Sequence, residues 1–598
     1  MLDSGKIRKA EEFFNLGLIS FNEKNFSQAK NFFLKAYKLS PERESILNNI
    51  IACFNELEEF DELEIFLKKI IDQNEENILA LKLLINFFLK FKKLEDILES
   101  IKLLKKIPKN RVKENFKEQF EQASSFLKLA GHYTKLLELY ELYVFFYPGK
   151  LDIYLSSLFL LPGFVESQEE FNASRLNFEN NLDKISSLDL SNFEITHPPD
   201  IRTFFLSYSN QDNLNILKKF NENIRKIYPV LNFNFNYKPN SNSKIKLGFI
   251  SEFLTNHTVG KLFGNIPFYL NKEKFDIIVF HSPSTKKSFF KKKLDMNFKT
   301  INLSADFNEK VKTIEKENLD ILFYTDIGMS LDLYYLSFTR LAQHQVLTWG
   351  HPETSGNDNI DFFISNIFSE NKDSEKFYIE KLIKFKNFNS FYVKPKYFDQ
   401  KNKLNFNTSD KVYFCPQSLI KILPDFDILI KKILLEDKKA KIFFIKDPFN
   451  YQYKIFLNRL KKNNVNIDRI KFLERLDENQ FIYFCGLANV LLDPTHFSAG
   501  NSFIETFVNP VPLITFPGSF LRSNLSTGLY KQLSIENAPI SSSVDEYVYL
   551  ATKLANNEKE NLLIRSQILH NSEKFYENHR VIIEYESFFL DLMNKKIT

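Results

Sequence analysis

Glycine is scarce in this chain: 15 residues of 598, where average usage of roughly 7% would give about 40. So little glycine excludes collagen-like, Gly/Ser-linker and glycine-rich disordered architectures. Cysteine is scarcer still. Cys53, Cys415 and Cys485 are the only three. They lie far apart and form no C-x-x-C pair, which argues against a disulfide framework or a zinc site and fits a reducing compartment. No run of 18 uncharged apolar residues occurs, and the nearest approach, Ile153 to Val165, is too short to span a bilayer. No apolar stretch precedes the charges of MLDSGKIRKAEEFF, so no secretory signal is expected. A charge bias is also missing. The 80 Lys and Arg face 75 Asp and Glu, a net of +5, and no electrostatic case for nucleic acid or an anionic membrane follows. The expectation is a cytoplasmic protein with no nucleic-acid partner and no membrane span.

What the chain does have is phenylalanine, 65 residues of it, and long helical patterns. Between Phe13 and Pro41, the residues Phe13, Leu16, Gly17, Ala29, Phe33, Ala36 and Pro41 fall at the spacing of a 34-residue tetratricopeptide repeat. Small residues at 17, 29 and 36 let two antiparallel helices approach, while Phe13, Leu16 and Phe33 are expected to fill the seam. Adding 34 to 29, 33 and 36 reaches Leu63, Leu67 and Ile70, and adding 34 again reaches Ile97, Ile101 and Leu104. The apolar phase persists, so residues 1–160 read as a helical-repeat region whose concave side recruits a polypeptide. Residues 161–243 read as a helical connector ending in an Asn-rich linker, Asn210 to Asn242.

From Lys244 the pattern changes. Short β-rich runs (IKLGFI, DIIVF, DILFY, QVLTW, DFFIS, then VYFC, KIFFI, NVLLD, PLITF) alternate with amphipathic helices, the signature of parallel sheets built from βαβ units. Two sets, 244–400 and 401–598, meet at a polar stretch around KPKYFDQKNKLNFNTSD. The fold class is thus a tetratricopeptide-like α-helical region followed by a twin Rossmann-like α/β module. A ligand is expected where strand C-termini and helix N-termini face one cleft.

Five blocks follow strands and point at that cleft. GFISEFLTNHTVGKL carries His257 and Gly260, TDIGM spans Thr325 to Met329, and QVLTWGHPETSG carries His351, Thr354, Ser355 and Gly356. CPQSLIKILPDFD places Lys421 soon after a strand, with Asp425 and Asp427 at the next helix start, where their charge complements the helix dipole. LLDPTHFSAGNSFIETF ends a strand at Asp493, turns through Gly500 and opens a helix bearing Glu505. Amides at that helix start suit a diphosphate, and Glu505 suits ribose hydroxyls. Ten of the 15 glycines lie from Gly248 onward, mostly in these blocks.

In this order, behind helical repeats, the blocks resemble the O-linked N-acetylglucosaminyltransferase family, glycosyltransferase family 41, and more closely its bacterial repeat-containing type. The resemblance implies an inverting GT-B transferase that uses a UDP-sugar and needs no metal or other cofactor. The acceptor it implies is a polypeptide Ser/Thr hydroxyl, with N-acetylglucosamine or another hexose as the sugar. Transfer to asparagine or to a non-protein acceptor, and an inactive scaffold, are the alternatives. Position by position, it implies that Lys421 neutralises the departing diphosphate and that Gln417 and the segment Ser498, Ala499, Gly500, Asn501 and Ser502 cradle the nucleotide. Glu505 then binds ribose, and His257 acts near the reacting sugar as base or acceptor-orienting group. His351, Thr354, Ser355, Gly356 and His496 fall on the sugar and acceptor side. The chain departs from the animal members at four places. It offers Asp320 where they have a second cleft histidine, and Glu478 and Phe481 where they have Lys and His. Asn524 replaces an arginine, and their large insert between lobes is absent.

Overall fold

The computed structural model describes residues 4–195, 198–239, 244–397 and 410–596. Most of the polar stretch between the lobes and the end of the Asn-rich run lie outside the described residues. Two compact units divide at residue 150: Met1–Lys150 and Leu151–Thr598.

The first unit is built of antiparallel helix pairs: Ser4–Asn22 with Phe26–Leu39, Glu44–Glu56 with Phe60–Gln73, and Ile78–Lys90 with Leu94–Lys102. The second helices begin at 26, 60 and 94, each 34 residues after the last. The turns keep the same period. Lys24, Glu58 and Lys92 take φ of 60°, 56° and 55°, left-handed positions that glycine fills without steric cost. This glycine-poor chain puts charged residues there, and uses glycine only at the later turn, Gly131, with φ 74°. Leu63, Leu67, Ile70, Ile97, Ile101 and Leu104 are all buried, as the 34-residue register requires. The seam of the first pair differs from the sequence expectation. Leu16 is 39% exposed and Phe13 half-buried, whereas Ala10, Phe14 and Gly17 form the inner face. The 3.6-residue period carries 10, 14 and 17 onto one stripe and leaves 16 about 100° away. Phe14 meets Phe33 at 5.6 Å between ring centroids.

The second unit holds two all-parallel sheets. Strands β1 (Ile245–Ile250), β2 (Phe275–His281), β3 (Lys299–Asn302), β4 (Leu319–Tyr324), β5 (Ala342–Thr348), β6 (Phe362–Asn366) and β7 (Lys381–Phe385) lie in the order 3-2-1-4-5-6-7. Strands β8 (Lys411–Phe414), β9 (Ala440–Ile445), β10 (Ile470–Leu473), β11 (Val490–Leu492) and β12 (Leu513–Ile514) lie in the order 10-9-8-11-12. The winding direction reverses between β1 and β4 and again between β8 and β11, so the loops leaving these strands open a crevice at each switch point. The strands β3, β7 and β10 escape a sequence reading because KTIN, KLIKF and IKFL are short and partly exposed.

Two segments serve the first lobe from elsewhere in the chain. Helix Leu214–Ile227 lies within the supposed linker, yet Ile216, Leu217, Phe220, Ile224 and Ile227 are buried on one stripe. Its Asn221 donates to the carbonyls of Ser355 and Gly356 at 3.0 and 2.8 Å, so asparagine here is structural glue rather than linker composition. The last helix, His579–Met593, follows the second lobe in sequence but packs on the first sheet. Tyr585 donates to Asn389 O at 2.9 Å, and Phe589 lies 5.9 Å from Phe323. Among the described residues no helix is long and apolar enough to cross a membrane.

A Cβ at Gly17 would sit 2.5 Å from the ring of the fully buried Phe33. Overpacking of this kind costs about 1–3 kcal/mol. In the full chain, Gly17→Val is therefore expected to lower the hydrogen-exchange protection of amides in 4–39 by roughly tenfold or more, read by mass spectrometry, with protection in 245–385 unchanged.

Candidate functional site

A cavity of about 440 Å³ opens between the two lobes, a size suited to a small-molecule ligand. It is lined by the loops after β1 (His257), β4 (Met329), β5 (Trp349, His351), β8 (Gln417, Lys421), β10 (Arg475) and β11 (Ser498, Gly500). Topology explains the convergence: each of these loops leaves the C-terminal end of a strand in one of the two sheets.

The second lobe supplies the cationic wall. Asp493, buried at the end of β11, accepts from the amide of Ala499 at 2.7 Å and from Thr515 Oγ1 at 2.8 Å. Those two bonds shape the turn from which helix Asn501–Thr506 starts. Its first amides, Asn501 and Ser502, have no carbonyl one turn back to bond, and both residues line the cavity. Lys421 Nζ donates to Gln417 Oε1 at 2.8 Å, and Gln417 Nε2 donates to Ser502 Oγ at 2.5 Å. The ammonium also stands 4.5 Å from the centroid of Phe497. Burial lowers the Lys421 pKa to about 8, against the opposing pull of Asp493. Glu505, which also lines the cavity, is held by Lys261 at 2.5 Å, and Lys261 pairs with Glu478 at 2.9 Å.

The first lobe supplies the histidines. His257 caps helix Thr258–Phe263, its Nδ1 accepting from Val259 N at 3.3 Å. Burial first, then the charges of Lys261 and Lys286, lower its pKa to about 4, so the ring is neutral at pH 7. With Nδ1 accepting, the proton of the neutral ring sits on Nε2 and the free edge is a donor. His351 is buried beside Ser207 Oγ, 3.0 Å from Nε2, and burial, then Arg522, takes its pKa to about 3. Gly328, with φ +113°, passes so close that a Cβ would lie 3.1 Å from His351 Cδ2.

Of the residues expected from sequence, His257, His351, Gln417, Lys421, Ser498, Gly500, Asn501, Ser502 and Glu505 line this one cavity. Thr354, Ser355, Gly356, Ala499 and His496 lie outside its lining. Thr354 Oγ1 and Ser355 N donate to the buried Glu380 at 2.6 and 2.7 Å. Gly356 holds φ +63° where a Cβ would meet Leu217 at 2.5 Å. These three residues buttress the loop that presents His351. Ala499 anchors the turn through its amide, and His496 bonds Asp425 at 2.5 Å. The Asp425/Asp427 pair is therefore committed: Asp427 is buried against Arg459, with two N–O distances of 2.9 Å.

Asp320 is not a cleft group. It sits at the start of β4, the end of the strand remote from the ligand side, where it accepts from Lys246 N at 2.7 Å and from Tyr237 OH. Phe481 does line the cavity. Asn524 is buried and accepts from Gly518 N at 3.0 Å. Met329, at the end of the TDIGM block, does line the cavity, whereas sequence reasoning missed Tyr208, Arg475 and Leu525. Arg475 follows β10, whose short and partly exposed run IKFL gives little sequence signal of its own. Among the described residues no group of three or more His, Cys, Asp or Glu side chains is placed to hold a metal ion.

Residues 216–402 match the model of Glycosyl transferase family 41. A UDP-glucose:protein N-beta-glucosyltransferase of Actinobacillus pleuropneumoniae is 24% identical over 268 residues, 44% of this chain and 43% of that protein. The probable UDP-N-acetylglucosamine–peptide N-acetylglucosaminyltransferase SEC of Arabidopsis thaliana is 20% identical over 330 residues, 53% of this chain and 33% of that one. The chain thus spans less than half the length of the curated relatives it matches. Among solved structures, an O-GlcNAc transferase mutant of Thermobaculum terrenum aligns over 99% of this chain and 98% of that one, with TM-score 0.61 at 13% identity. At that identity the likeness is one of fold. The family match runs from the helix at Ile216 through the strands that carry His257 and His351, so this stretch of the chain is similar to glycosyltransferase family 41.

Proposed function

We propose that this protein transfers a sugar, N-acetylglucosamine or another hexose, from a UDP-sugar to a polypeptide side chain, with inversion and without a metal. The helical repeats recruit the acceptor. The observation that carries the reading is the cavity itself, where Lys421, Gln417, the start of helix Asn501–Thr506 and His257 meet between two parallel sheets. As the acceptor attacks the anomeric carbon and the bond to the β-phosphate oxygen breaks, negative charge grows on the diphosphate, whose oxygens take up the proton the acceptor gives up. A preorganised ammonium and helix-start amides, sheltered from water, stabilise that charge at no reorganisation cost. Glu505 exchanges its bond to Lys261 for the ribose hydroxyls. His257 presents Nε2–H, so in this tautomer it orients an oxygen of donor or acceptor rather than removing a proton.

The acceptor atom in the first reading is a Ser/Thr hydroxyl. A second reading, an asparagine amide, is favoured by the Actinobacillus relative, whose name specifies N-linked glucosyl transfer. Incubating the full chain with UDP-glucose or UDP-N-acetylglucosamine and a mixed Ser/Thr- and Asn-containing peptide pool, then locating the added mass by electron-transfer fragmentation, separates the two. Absence of any transfer together with absence of UDP binding at millimolar nucleotide rejects the enzyme reading.

A Lys421 pKa near 8 gives the pH dependence a sign. Below about 8 the free enzyme already carries the ammonium; above it, binding a diphosphate requires a proton to be taken up first. The UDP dissociation constant is expected to be level near pH 7 and to rise toward tenfold per pH unit above about 8, with Lys421→Arg flattening the curve in calorimetry. Lys421→Ala is expected to cost about 10²–10³ in turnover.

His257→Ala is expected to lower kcat by about 10² through lost positioning while changing UDP affinity by no more than about threefold. Equal losses in both would place His257 on the nucleotide instead.

A further inference from the structure

One cation at the cavity has no role in the reading above. Arg475 lines the cavity and is solvent-exposed. It lies in the run Glu474-Arg475-Leu476-Asp477-Glu478, where every carboxylate is engaged elsewhere. Glu474 pairs with Lys446 at 2.5 Å, Asp477 caps the following helix by accepting from Gln480 N at 2.8 Å, and Glu478 pairs with Lys261 at 2.9 Å. Among the described residues the guanidinium has neither an ion pair nor a hydrogen bond. It is left with five N–H donors facing a ligand cavity.

The strand order says which part of a nucleotide it would meet. Arg475 follows β10, the edge strand of the second sheet, while Lys421 follows β8 and the helix-start amides follow β11. At about 4.8 Å per strand, β10 lies roughly 10 Å from β8 and roughly 14 Å from β11. A diphosphate held by Lys421 and the amides of Asn501 and Ser502 is therefore remote from Arg475 across the sheet. The nucleoside end of the ligand extends toward it. Phe481, from the helix Glu478–Leu487 that begins just after Arg475, supplies an aromatic surface in the same cavity.

We propose that Arg475 reads the nucleobase: its guanidinium donates to the O4 carbonyl oxygen of a uracil ring, so that the site selects uridine over cytidine diphosphate. A guanidinium only donates, so it matches the O4 acceptor of uracil, whereas cytosine places its exocyclic amino group, itself a donor, at that same position. This inference rests on the nucleotide-sugar reading of the cavity and assigns a specificity-determining residue within it.

Calorimetry of the full chain with UDP, CDP and inorganic pyrophosphate tests it, on the wild type, Arg475→Ala and Arg475→Lys. The wild type is expected to prefer UDP over CDP by about tenfold or more. Arg475→Ala should bring the two nucleotides to near parity through loss of UDP affinity while leaving pyrophosphate affinity unchanged, and Arg475→Lys, lacking the planar fork, should restore little of the preference. The exposed position keeps either variant folded, which unchanged circular dichroism confirms. Equal loss of UDP, CDP and pyrophosphate in Arg475→Ala would make Arg475 a phosphate anchor and overturn the proposal. So would an unchanged UDP/CDP ratio. A wild type that binds none of the three probes would overturn the nucleotide-sugar reading as well, whereas wild-type UDP binding indifferent to Arg475 removes the base-reading role alone.

Discussion

A single buried guanidinium holds the geometry of the cleft. Arg522, on the second lobe, pairs with Glu353 at 2.8 Å and donates to the carbonyls of Ser209 and Gln211 at 3.0 and 2.6 Å. Glu353 belongs to the loop that carries His351, and it also accepts from Asn213 at 2.8 Å. The carbonyl of Arg522 accepts the amide of Ser498 at 2.7 Å, which sets the turn leading to helix Asn501–Thr506 against the same residue. One residue thus fixes the His351 loop, the 209–213 segment and the approach to the helix start together. Taking away one partner of such a buried pair leaves an uncompensated charge and costs about 3–5 kcal/mol, so the spacing between the walls of the cavity is strongly determined.

Within that frame the two lobes divide the electrostatics. Burial acts on the histidines and the lysine that face the cavity, but with opposite chemical results. It keeps His257 and His351 neutral, leaving them as hydrogen-bonding groups. It lowers Lys421 only to about 8, so the ammonium survives at neutral pH. The difference lies in where each group starts: a lysine ordinarily titrates near 10.5 and an imidazole near 6.5, so a comparable lowering leaves the ammonium charged and the ring neutral. Asp493 opposes the lowering of Lys421, whereas Lys261 and Lys286 add to that of His257. One wall is thus cationic and the other polar but uncharged, the asymmetry that a ligand with an anionic end and a neutral end requires.

Much of this was legible in the sequence, for stated physical reasons. The 34-residue register predicted buried residues through Ile101 and Leu104 because helix pairs repeat the same packing face. Blocks following β-rich runs predicted cavity residues because parallel strands all deliver their loops to one side. The errors also have causes. Leu16 matches the repeat spacing but lies off the inner stripe. Asn221 reads as linker composition until its amide is seen to hold the Ser355 and Gly356 carbonyls. Thr354 and Ser355 look like ligand groups because hydroxyls on a strand-end loop serve either purpose; the partner that decides between them, Glu380, lies 25 or more residues away.

By itself the sequence determined the class of each segment, the alternation that makes the sheets parallel, and the residue types available for diphosphate chemistry. Those follow from periodicity and local backbone preference, which act over a few residues. Only the tertiary structure decided which of those residues share a cavity. It turned Asp320 away at the far end of β4, returned the final helix to the first sheet, and committed Asp427 to Arg459. It also left Arg475 facing the cavity with, among the described residues, no carboxylate partner. Each of those outcomes depends on partners brought together across the fold, and spacing along the chain carries no record of them.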